Sequence, residues 1–302
     1  MTFDTVVIGA GPAGLTAALY AKRKGLTLAV IADSIGGQMS KTANIENYPG
    51  HEIIPGKQLA LIMQEQIKQL GQDIVMDRVT GVERIGNRFR TTTATGKHFD
   101  SRTLIIATGA HWREIGVPGE KEFKNRGVSY CTTCDGPLFA DMDVAVVGGA
   151  NAAAESVLEM THYATKVYMI VRSTLKADQI LADRIMSSPK VTVLQGYTVE
   201  KITGTDFVEA IHIRSKAGEQ KTLQVGGVFV EIGQDPNTDF LKGLVKTNDK
   251  GEIIIDEYCR TSVQGIYACG DVTDVPQKQV IVAAGEGAKA AMDVYTYLST
   301  HR

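Results

Sequence analysis

Short runs of β-branched residues alternate with segments of helical periodicity along this chain. Residues 5–8 form an apolar run, residues 15–24 are rich in Ala and Leu, and residues 26–32 form a second apolar run. Runs of this kind favour strands, whereas the Ala- and Leu-rich segment, closed by Gly25, favours a helix. The beginning of the chain therefore predicts a βαβ unit.

The same order of elements returns in the middle of the chain. Residues 144–147 and 166–171 predict strands on either side of a helix at 154–162. This is a repeat of architecture rather than of letters. Two such units predict an α/β fold with two nucleotide-binding, Rossmann-like domains.

The rest of the pattern predicts one connecting helix, two meanders and a closing helix. Apolar residues recur at helical spacing from Leu59 to Leu70, which predicts a helix over 56–70. The segments 73–99 and 191–229 read as meanders of strands, with Gly204 and Gly218 as turns in the second. Residues 104–110 predict a buried strand, and residues from about 279 to 298 predict a helix.

Composition bounds the functions that this chain can have. The 302 residues suit about two domains, and the formal net charge of -2 gives no reason to expect nucleic acid or an anionic membrane surface as a partner. We find no apolar run near the roughly 20 residues of a membrane helix and no signal-peptide pattern. We therefore expect a cytoplasmic protein without a membrane partner.

The turn of the first βαβ unit carries a dinucleotide fingerprint. Gly9, Gly11 and Gly14 form G-x-G-x-x-G between the predicted strand and helix. Glycines at this spacing allow a tight turn and let the backbone approach a pyrophosphate at the helix N-terminus. Asp33 follows about twenty residues on, where an acid would bind a ribose hydroxyl.

A Cys-x-x-Cys pair stands between the two βαβ units. Cys131 and Cys134 are followed directly by Asp135. The spacing suits either a redox-active disulfide or half of a zinc site. A structural zinc site needs four ligands, and Cys259 and Cys269 do not form a second pair. The histidines fall in no ligand spacing, so we expect no metal.

Six motifs together resemble the low-molecular-weight thioredoxin reductases over essentially the whole chain. They are GAGPAG at 9–14, GGQ at 36–38, ENYPG at 46–50, ATGA at 107–110, CTTCDGP at 131–137 and GIYACGDV at 265–272. The resemblance implies an FAD-binding domain at 1–111 and 242–302. An NAD(P)-type domain at 112–241, inserted into the first, would carry the redox-active cysteines.

The resemblance also implies residue roles. Gly9, Gly11, Ala13 and Gly14 would hold the FAD pyrophosphate, Gln38 and Asn47 would lie near the flavin, and Asp271 would bind the ribityl–phosphate portion. The helix beginning at Gln279 and Val280 would point its positive end at the flavin. The remaining expected cofactor-binding positions are Pro12, Asp33, Gly37, Thr108 and Gly109.

The mechanism implied by the family is a dithiol–disulfide exchange. Cys134 would face the flavin, Cys131 would attack the disulfide of thioredoxin, and Asp135 would manage the proton. Members of the family usually form homodimers.

The second nucleotide turn departs from the family pattern. NADPH-using members carry G-G-G-x-x-A and then H-R-R with a further Arg, whereas this chain has Gly148-Gly149-Ala150 and, after the next strand, Val171-Arg172-Ser173 with Lys176. Losing guanidinium contacts to a phosphate is not a neutral change. Some members of the family lack these motifs and take electrons from reduced ferredoxin, so the resemblance implies reduced ferredoxin as the electron donor rather than NADPH.

Three alternatives stay open. The chain could use NADPH, or NADH, through a non-standard site that includes Arg172 and Lys176. It could run the reaction backwards, as a flavin-dependent dithiol oxidase that passes electrons to oxygen. It could also be a flavin-binding redox sensor without turnover.

Overall fold

The computed structural model describes residues 2–301, so Met1 and Arg302, the ends of the predicted FAD domain, lie outside the described residues. The chain folds into two compact units. Residues up to His111 and from Asp235 onward form the first unit, and Trp112–Gln234 forms the second. The predicted second boundary lay at 241/242. The stretch 235–241 folds with the first unit because Asn237 donates its main-chain and side-chain N–H groups to the carbonyls of Gly109 and Thr108.

The first unit is built on a seven-stranded sheet in the order β3-β2-β1-β6-β5-β4, with β17 also paired to β6. Strand β6 pairs with two strands in succession besides β1: its first half pairs antiparallel with β5, and its second half pairs parallel with β17. The strands are β1 (Thr2–Ala10), β2 (Leu28–Ile35), β3 (Ile74–Met76), β4 (Val79–Ile85), β5 (Arg88–Thr93), β6 (His98–Ile106) and β17 (Ile266–Ala268).

Three helices cover this sheet: α1 (Pro12–Arg23), α2 (Gly56–Lys68) and α6 (Val280–Thr300). Helices α1 and α6 approach each other closely, since a Cβ placed on Gly287 would lie 2.1 Å from the carbonyl oxygen of Ala13. The apolar residues that α1 and α6 turn inward join one buried core with β1 and β2. The predicted first βαβ unit is therefore present as β1, α1 and β2, joined by parallel pairing.

The second unit contains a five-stranded parallel sheet in the order β11-β10-β9-β15-β8. Its strands are β8 (Val128–Ser129), β9 (Asp143–Val147), β10 (Lys166–Val171), β11 (Val191–Gln195) and β15 (Gly227–Val230). Its helices are α3 (Thr132–Asp135), α4 (Asn151–Met160) and α5 (Gln179–Ser187). The two Rossmann-like sheets confirm the predicted α/β fold class.

The predicted meander over 191–229 is wrong at both ends. Only β12 (Tyr197–Gly204), β13 (Val208–Ser215) and β14 (Gln220–Gln224) form an antiparallel sheet. Strands β11 and β15 instead join the parallel sheet, where β15 is fully buried. Short strands of this kind pair according to tertiary context, which the local pattern does not carry.

The chain crosses between the units twice. The crossing segments, β7 (Ala110–Trp112) and β16 (Gln234–Pro236), pair as a two-stranded sheet. Within residues 2–301, no helix is long and apolar enough to cross a membrane.

Candidate active site

The redox motif follows directly from the end of a buried strand. Strand β8 ends at Ser129, and the chain then enters the four-residue helix α3 with Cys131 as its N-cap. The main-chain N–H of Cys134 donates to Cys131 Sγ at 3.2 Å. Cys131 and Cys134 form a disulfide with a Cα–Cα distance of 5.3 Å. Cys131 is half-buried and Cys134 is exposed.

A carboxyl group is held at this disulfide. Ser129 Oγ donates to Asp135 Oδ2 at 2.6 Å. Ser129 Oγ also accepts the main-chain N–H of Cys131 at 3.1 Å. The N–H of Asp135 in turn donates to the carbonyl of Cys131. Ser129 therefore fixes Asp135 next to the cysteines, a role that the sequence analysis did not assign to it.

The residue before Cys131 is anchored in the core of the second unit. Tyr130 is buried, and its hydroxyl donates to Glu120 Oε1 at 3.0 Å. Its ring stacks on that of Trp112 with 5.6 Å between centroids. Burial, with the neighbouring charge of Glu120, raises the pKa of Tyr130, so the phenol keeps its proton. These contacts fix the backbone from which the motif projects.

The two residues between the cysteines, Thr132 and Thr133, each donate a hydroxyl hydrogen bond to a glutamate side chain. Thr132 Oγ1 donates to Glu231 Oε1 at 3.2 Å, and Thr133 Oγ1 donates to Glu159 Oε2 at 3.1 Å. Burial raises the pKa of Glu231 to about 7, and hydrogen bonds from Ser156 and Thr132 oppose that rise. Neither Glu231 nor Glu159 belongs to a motif in the sequence, so neither was predicted.

The first nucleotide turn has the backbone that a pyrophosphate needs. Gly9 has φ of 110°, and a Cβ there would lie 2.2 Å from the carbonyl oxygen of Ala107. Gly11 is the N-cap of α1, with Pro12 at its first position, and a Cβ on Gly11 would meet no described atom within 4 Å. The space in front of the first turn of α1 is therefore open, where unpaired main-chain N–H groups can receive a phosphate.

Other predicted cofactor residues meet in two groups in the first unit. Gln38 Nε2 donates to the carbonyl of Ala110 at 2.7 Å and lies 3.4 Å from Asp271 Oδ2. Asn47 Nδ2 donates to Gln279 Oε1 at 3.2 Å, directly before α6, whose first residue is Val280. Within each group, positions that are far apart in the sequence are brought together.

Three further predicted residues have protein partners of their own. Asp33 is exposed at the end of β2, where Arg78 Nε pairs with it at 3.2 Å. Thr108 Oγ1 donates to the carbonyl of Asn237, and Gly109 accepts the Asn237 N–H. Gly37 lies against the first turn, since a Cβ on it would be 3.6 Å from Gly11 Cα.

The buried polar groups of the first unit fit an FAD ligand. Gln38 Oε1 is buried and has no hydrogen-bond partner within residues 2–301, so it suits a donor supplied by a ligand. Burial raises the pKa of Asp271, and Lys278 opposes the rise. Glu286, which the sequence analysis missed, is buried and accepts the N–H of Gly270 at 2.7 Å, which holds the loop that carries Asp271.

The second nucleotide turn keeps its backbone but has different side chains around it. Gly148 has φ of 155°, and a Cβ there would lie 2.3 Å from the carbonyl oxygen of Glu231. Val171, which replaces the family's His, is 2% exposed and packs under Gly149. Arg172 and Lys176 are exposed.

The other two cysteines belong to the core of the first unit. Cys259 and Cys269 are buried free thiols, and burial raises the pKa of Cys259 to about 12. Both are therefore protonated at neutral pH and poor nucleophiles. Among residues 2–301, no group of three or more His, Cys, Asp or Glu side chains could hold a metal ion.

Residues 3–287 match the family model of the pyridine nucleotide-disulphide oxidoreductases. Thioredoxin reductase from Streptococcus pyogenes MGAS5005 is 41% identical, with a TM-score of 0.95 and 99% of each chain covered. Thioredoxin reductase from Giardia duodenalis is 34% identical, with a TM-score of 0.94 and the same coverage.

Longer proteins are also similar. An NADH dehydrogenase from Bacillus subtilis is 41% identical, and a component of alkyl hydroperoxide reductase from Staphylococcus aureus is 39% identical, each over 98% of this chain. The chain spans only 58% and 59% of these two relatives. The predicted cofactor is confirmed at the level of the family, whose thioredoxin reductases are FAD-dependent. The chain therefore belongs to the pyridine nucleotide-disulphide oxidoreductase family, as a thioredoxin reductase-like flavin disulphide oxidoreductase.

Proposed function

We propose that this protein reduces the disulfide of thioredoxin through Cys131 and Cys134. The observation that carries the proposal is the Cys131–Cys134 disulfide with the Asp135 carboxyl held beside it by Ser129. The likeness to thioredoxin reductases over 99% of their length supports the choice of substrate.

In this proposal the chain's own groups perform the exchange. The thiolate of Cys131 attacks one sulfur of the thioredoxin disulfide, which forms a mixed disulfide and releases the other thioredoxin sulfur as a thiolate. Cys134 then attacks Cys131 Sγ, which reforms the enzyme disulfide and releases reduced thioredoxin. Asp135 accepts the proton of each attacking thiol in turn and gives it to the thioredoxin thiolate that departs in that step, so both protons of the enzyme dithiol end on thioredoxin.

FAD, when bound, would supply the two electrons that regenerate the dithiol. We propose that the pyrophosphate lies against Gly9, Gly11, Pro12, Ala13 and Gly14. The ribose hydroxyls would then reach Asp33, as the G-x-G-x-x-G pattern implies. The remaining ligands proposed for FAD are Gly37, Gln38, Asn47, Thr108, Gly109, Asp271, Gln279 and Val280.

For the electron donor we propose reduced ferredoxin. The support is the side-chain set around the second turn, where a buried Val171 and the small Ser173 stand at positions that carry His and Arg in NADPH users. By resemblance to the family we also propose a homodimer in the cytoplasm.

A specific observation favours a pyridine nucleotide as the second candidate donor. The strand, left-handed glycine and helix of the second turn are intact, and one relative at 41% identity carries the name NADH dehydrogenase. A binding mode that uses Arg172 and Lys176 would suit NADH, which needs no 2′-phosphate contacts. The relatives named for alkyl hydroperoxide reductase likewise favour a hydroperoxide-reducing protein as an alternative disulfide substrate.

One anaerobic experiment separates these donors. The purified yellow protein is mixed with NADPH, NADH or reduced ferredoxin, and flavin bleaching is followed in time. We expect fast bleaching by ferredoxin alone, whereas fast bleaching by NADH or NADPH would replace ferredoxin by that nucleotide. The reduced enzyme is then mixed with oxidised thioredoxin, and failure of the flavin to reoxidise, with rapid reoxidation by oxygen, would support the dithiol oxidase instead.

A further inference from the structure

Three neighbouring strands of the second unit end at one edge of its parallel sheet. Strands β8, β15 and β9 lie side by side, and each pairs parallel with the next. The residues that follow them are the redox motif after Ser129, Glu231 after Val230, and the turn at Gly148 after Val147. Carboxyl ends of parallel strands are where such folds build their sites. Glu231 thus stands between the redox motif and the nucleotide turn.

The side chain of Glu231 is directed to the redox motif. Thr132 is 3% exposed, and its hydroxyl donates to Glu231 Oε1 at 3.2 Å. The main chain of Thr132 and the hydroxyl of Ser156 on α4 also hydrogen-bond Glu231. The carbonyl of Glu231 meanwhile packs against Gly148. Glu231 therefore contacts both the segment between the two cysteines, at Thr132, and the second nucleotide turn, at Gly148.

Charged groups lie on three of the segments that adjoin Glu231. Glu159, on α4, acts on it directly and favours its protonated form. Asp135, on α3, is held by Ser129. The Arg113 guanidinium lies next to Gly233, two residues after Glu231. Burial is the largest cause that raises the pKa of Glu231, to about 7.

We infer that Glu231 is a positioning residue for the redox centre, a second carboxyl in addition to Asp135, and that its protonation is coupled to the redox state of Cys131 and Cys134. Reduction by two electrons breaks the Sγ–Sγ bond and leaves two sulfurs that take up protons from solvent. A thiolate and an ionised Glu231 disfavour each other, so each raises the pKa of the other. This inference rests on the redox role proposed for the disulfide.

The test is the pH profile of cysteine alkylation in the reduced holoenzyme. An immobilised phosphine reduces the disulfide anaerobically and becomes its oxide, with oxygen taken from water. Iodoacetamide then labels the thiolates, and mass spectrometry separates the peptides of Cys131 and Cys134. In Glu231→Gln we expect the midpoint for at least one cysteine to fall by about half a pH unit or more, about threefold in rate at fixed pH.

Glu155→Gln is the matched control, because Glu155 is an exposed glutamate on α4. We expect its profile to follow that of the wild type. Superimposable profiles of Glu231→Gln and wild type, at equal FAD content and thermal stability, would overturn the inference. The assay needs neither thioredoxin nor an electron donor, so it can succeed even if the proposed substrate is wrong.

A second pair of variants serves if Glu231→Gln folds poorly. Thr132→Val removes the hydroxyl that stabilises the ionised carboxyl, so Glu231 keeps its proton to higher pH and the alkylation midpoint should fall. Thr132→Ser keeps the hydroxyl and should restore the wild-type profile. Equal profiles for the Val and Ser variants would also overturn the inference.

Discussion

The two nucleotide-type turns share a backbone and differ in their surroundings. Gly9 lies one residue before the end of β1 and Gly148 directly follows β9; both have a positive φ, and a helix follows each turn. Near the first turn, the side chain of Gln38 contacts that of Asp271, and the buried Gln38 Oε1 has no hydrogen-bond partner among residues 2–301. Beside the second turn lies the buried, apolar Val171.

This difference teaches that the backbone turn and its ligand chemistry are separable. Helix α4 buries Ala153, Ala154 and Val157 completely in the core of the second unit. The turn at Gly148 is needed to bring that helix onto the sheet, whatever ligand binds there. A nucleotide-type turn by itself therefore indicates a fold, and the side chains beyond the turn indicate the ligand.

The largest expected effect tests whether the second unit carries the redox chemistry. In Cys134→Ser, Cys131 has no resolving partner, so we expect disulfide reduction to fall to background. FAD content should not change, because the proposed cofactor residues belong to the first unit. Turnover with thioredoxin and flavin absorbance per protein check this, and full turnover in the variant would end the proposed mechanism.

The next test introduces valine at the matching position of each turn. In Gly11→Val, the new side chain enters open space before α1, so the fold is kept but the pyrophosphate is excluded. We expect flavin content to fall by about tenfold or more, which corresponds to at least about 1.4 kcal/mol of binding. Ala150→Val, at the matching position of the second turn, should keep full flavin content. Fully flavinated Gly11→Val protein would show that the fingerprint is misread.

Ligand chemistry can be added to the second turn without altering its backbone. Ser173 and Lys176 are exposed, whereas Val171 is buried, so Ser173→Arg with Lys176→Arg leaves the core intact. A charge-assisted hydrogen bond contributes about 1.5–3 kcal/mol, so we expect at least about tenfold tighter NADPH binding. Isothermal titration with NADPH and NADH measures this. Equal gains for both nucleotides would contradict a 2′-phosphate contact.

The smallest expected effect concerns Glu286, the buried glutamate of the first unit. Glu286→Ala leaves the N–H of Gly270 unpaired, which costs about 1–3 kcal/mol of unfolding free energy. Burial raises the folded pKa of Glu286 above its ordinary value, so its contribution to stability falls as pH rises through that pKa. Glu286→Gln does not titrate, and we expect its stability relative to wild type to grow with pH above about 4.5. Urea unfolding across pH measures both variants, and a pH-independent difference would contradict the assignment.

The sequence predicts best those elements that a local signal defines. Strand β10 was expected at 166–171 and has those bounds, and the helix expected at 56–70 is α2, Gly56–Lys68. Helix α5 (Gln179–Ser187) was not predicted. It contributes little to the core, because Ile180 and Met186 are exposed and its buried residue is Ile185.

The same distinction holds for the site. Cys131, Cys134 and Asp135 stand together in the sequence, and a local motif identifies them. Glu231 lies 99 residues from Thr132, and the two meet only because β15 pairs between β8 and β9. Strand order of this kind is a tertiary property, so no spacing in the sequence could show it.

The interrupted first unit also sets an order of events during synthesis. Residues 112–234 are continuous, so they can fold as soon as they leave the ribosome. The first unit must wait for β17, which completes its sheet beside β6, and for α6, which packs on α1. We therefore expect a nascent chain to display a finished Cys131–Cys134 motif before it can retain a flavin.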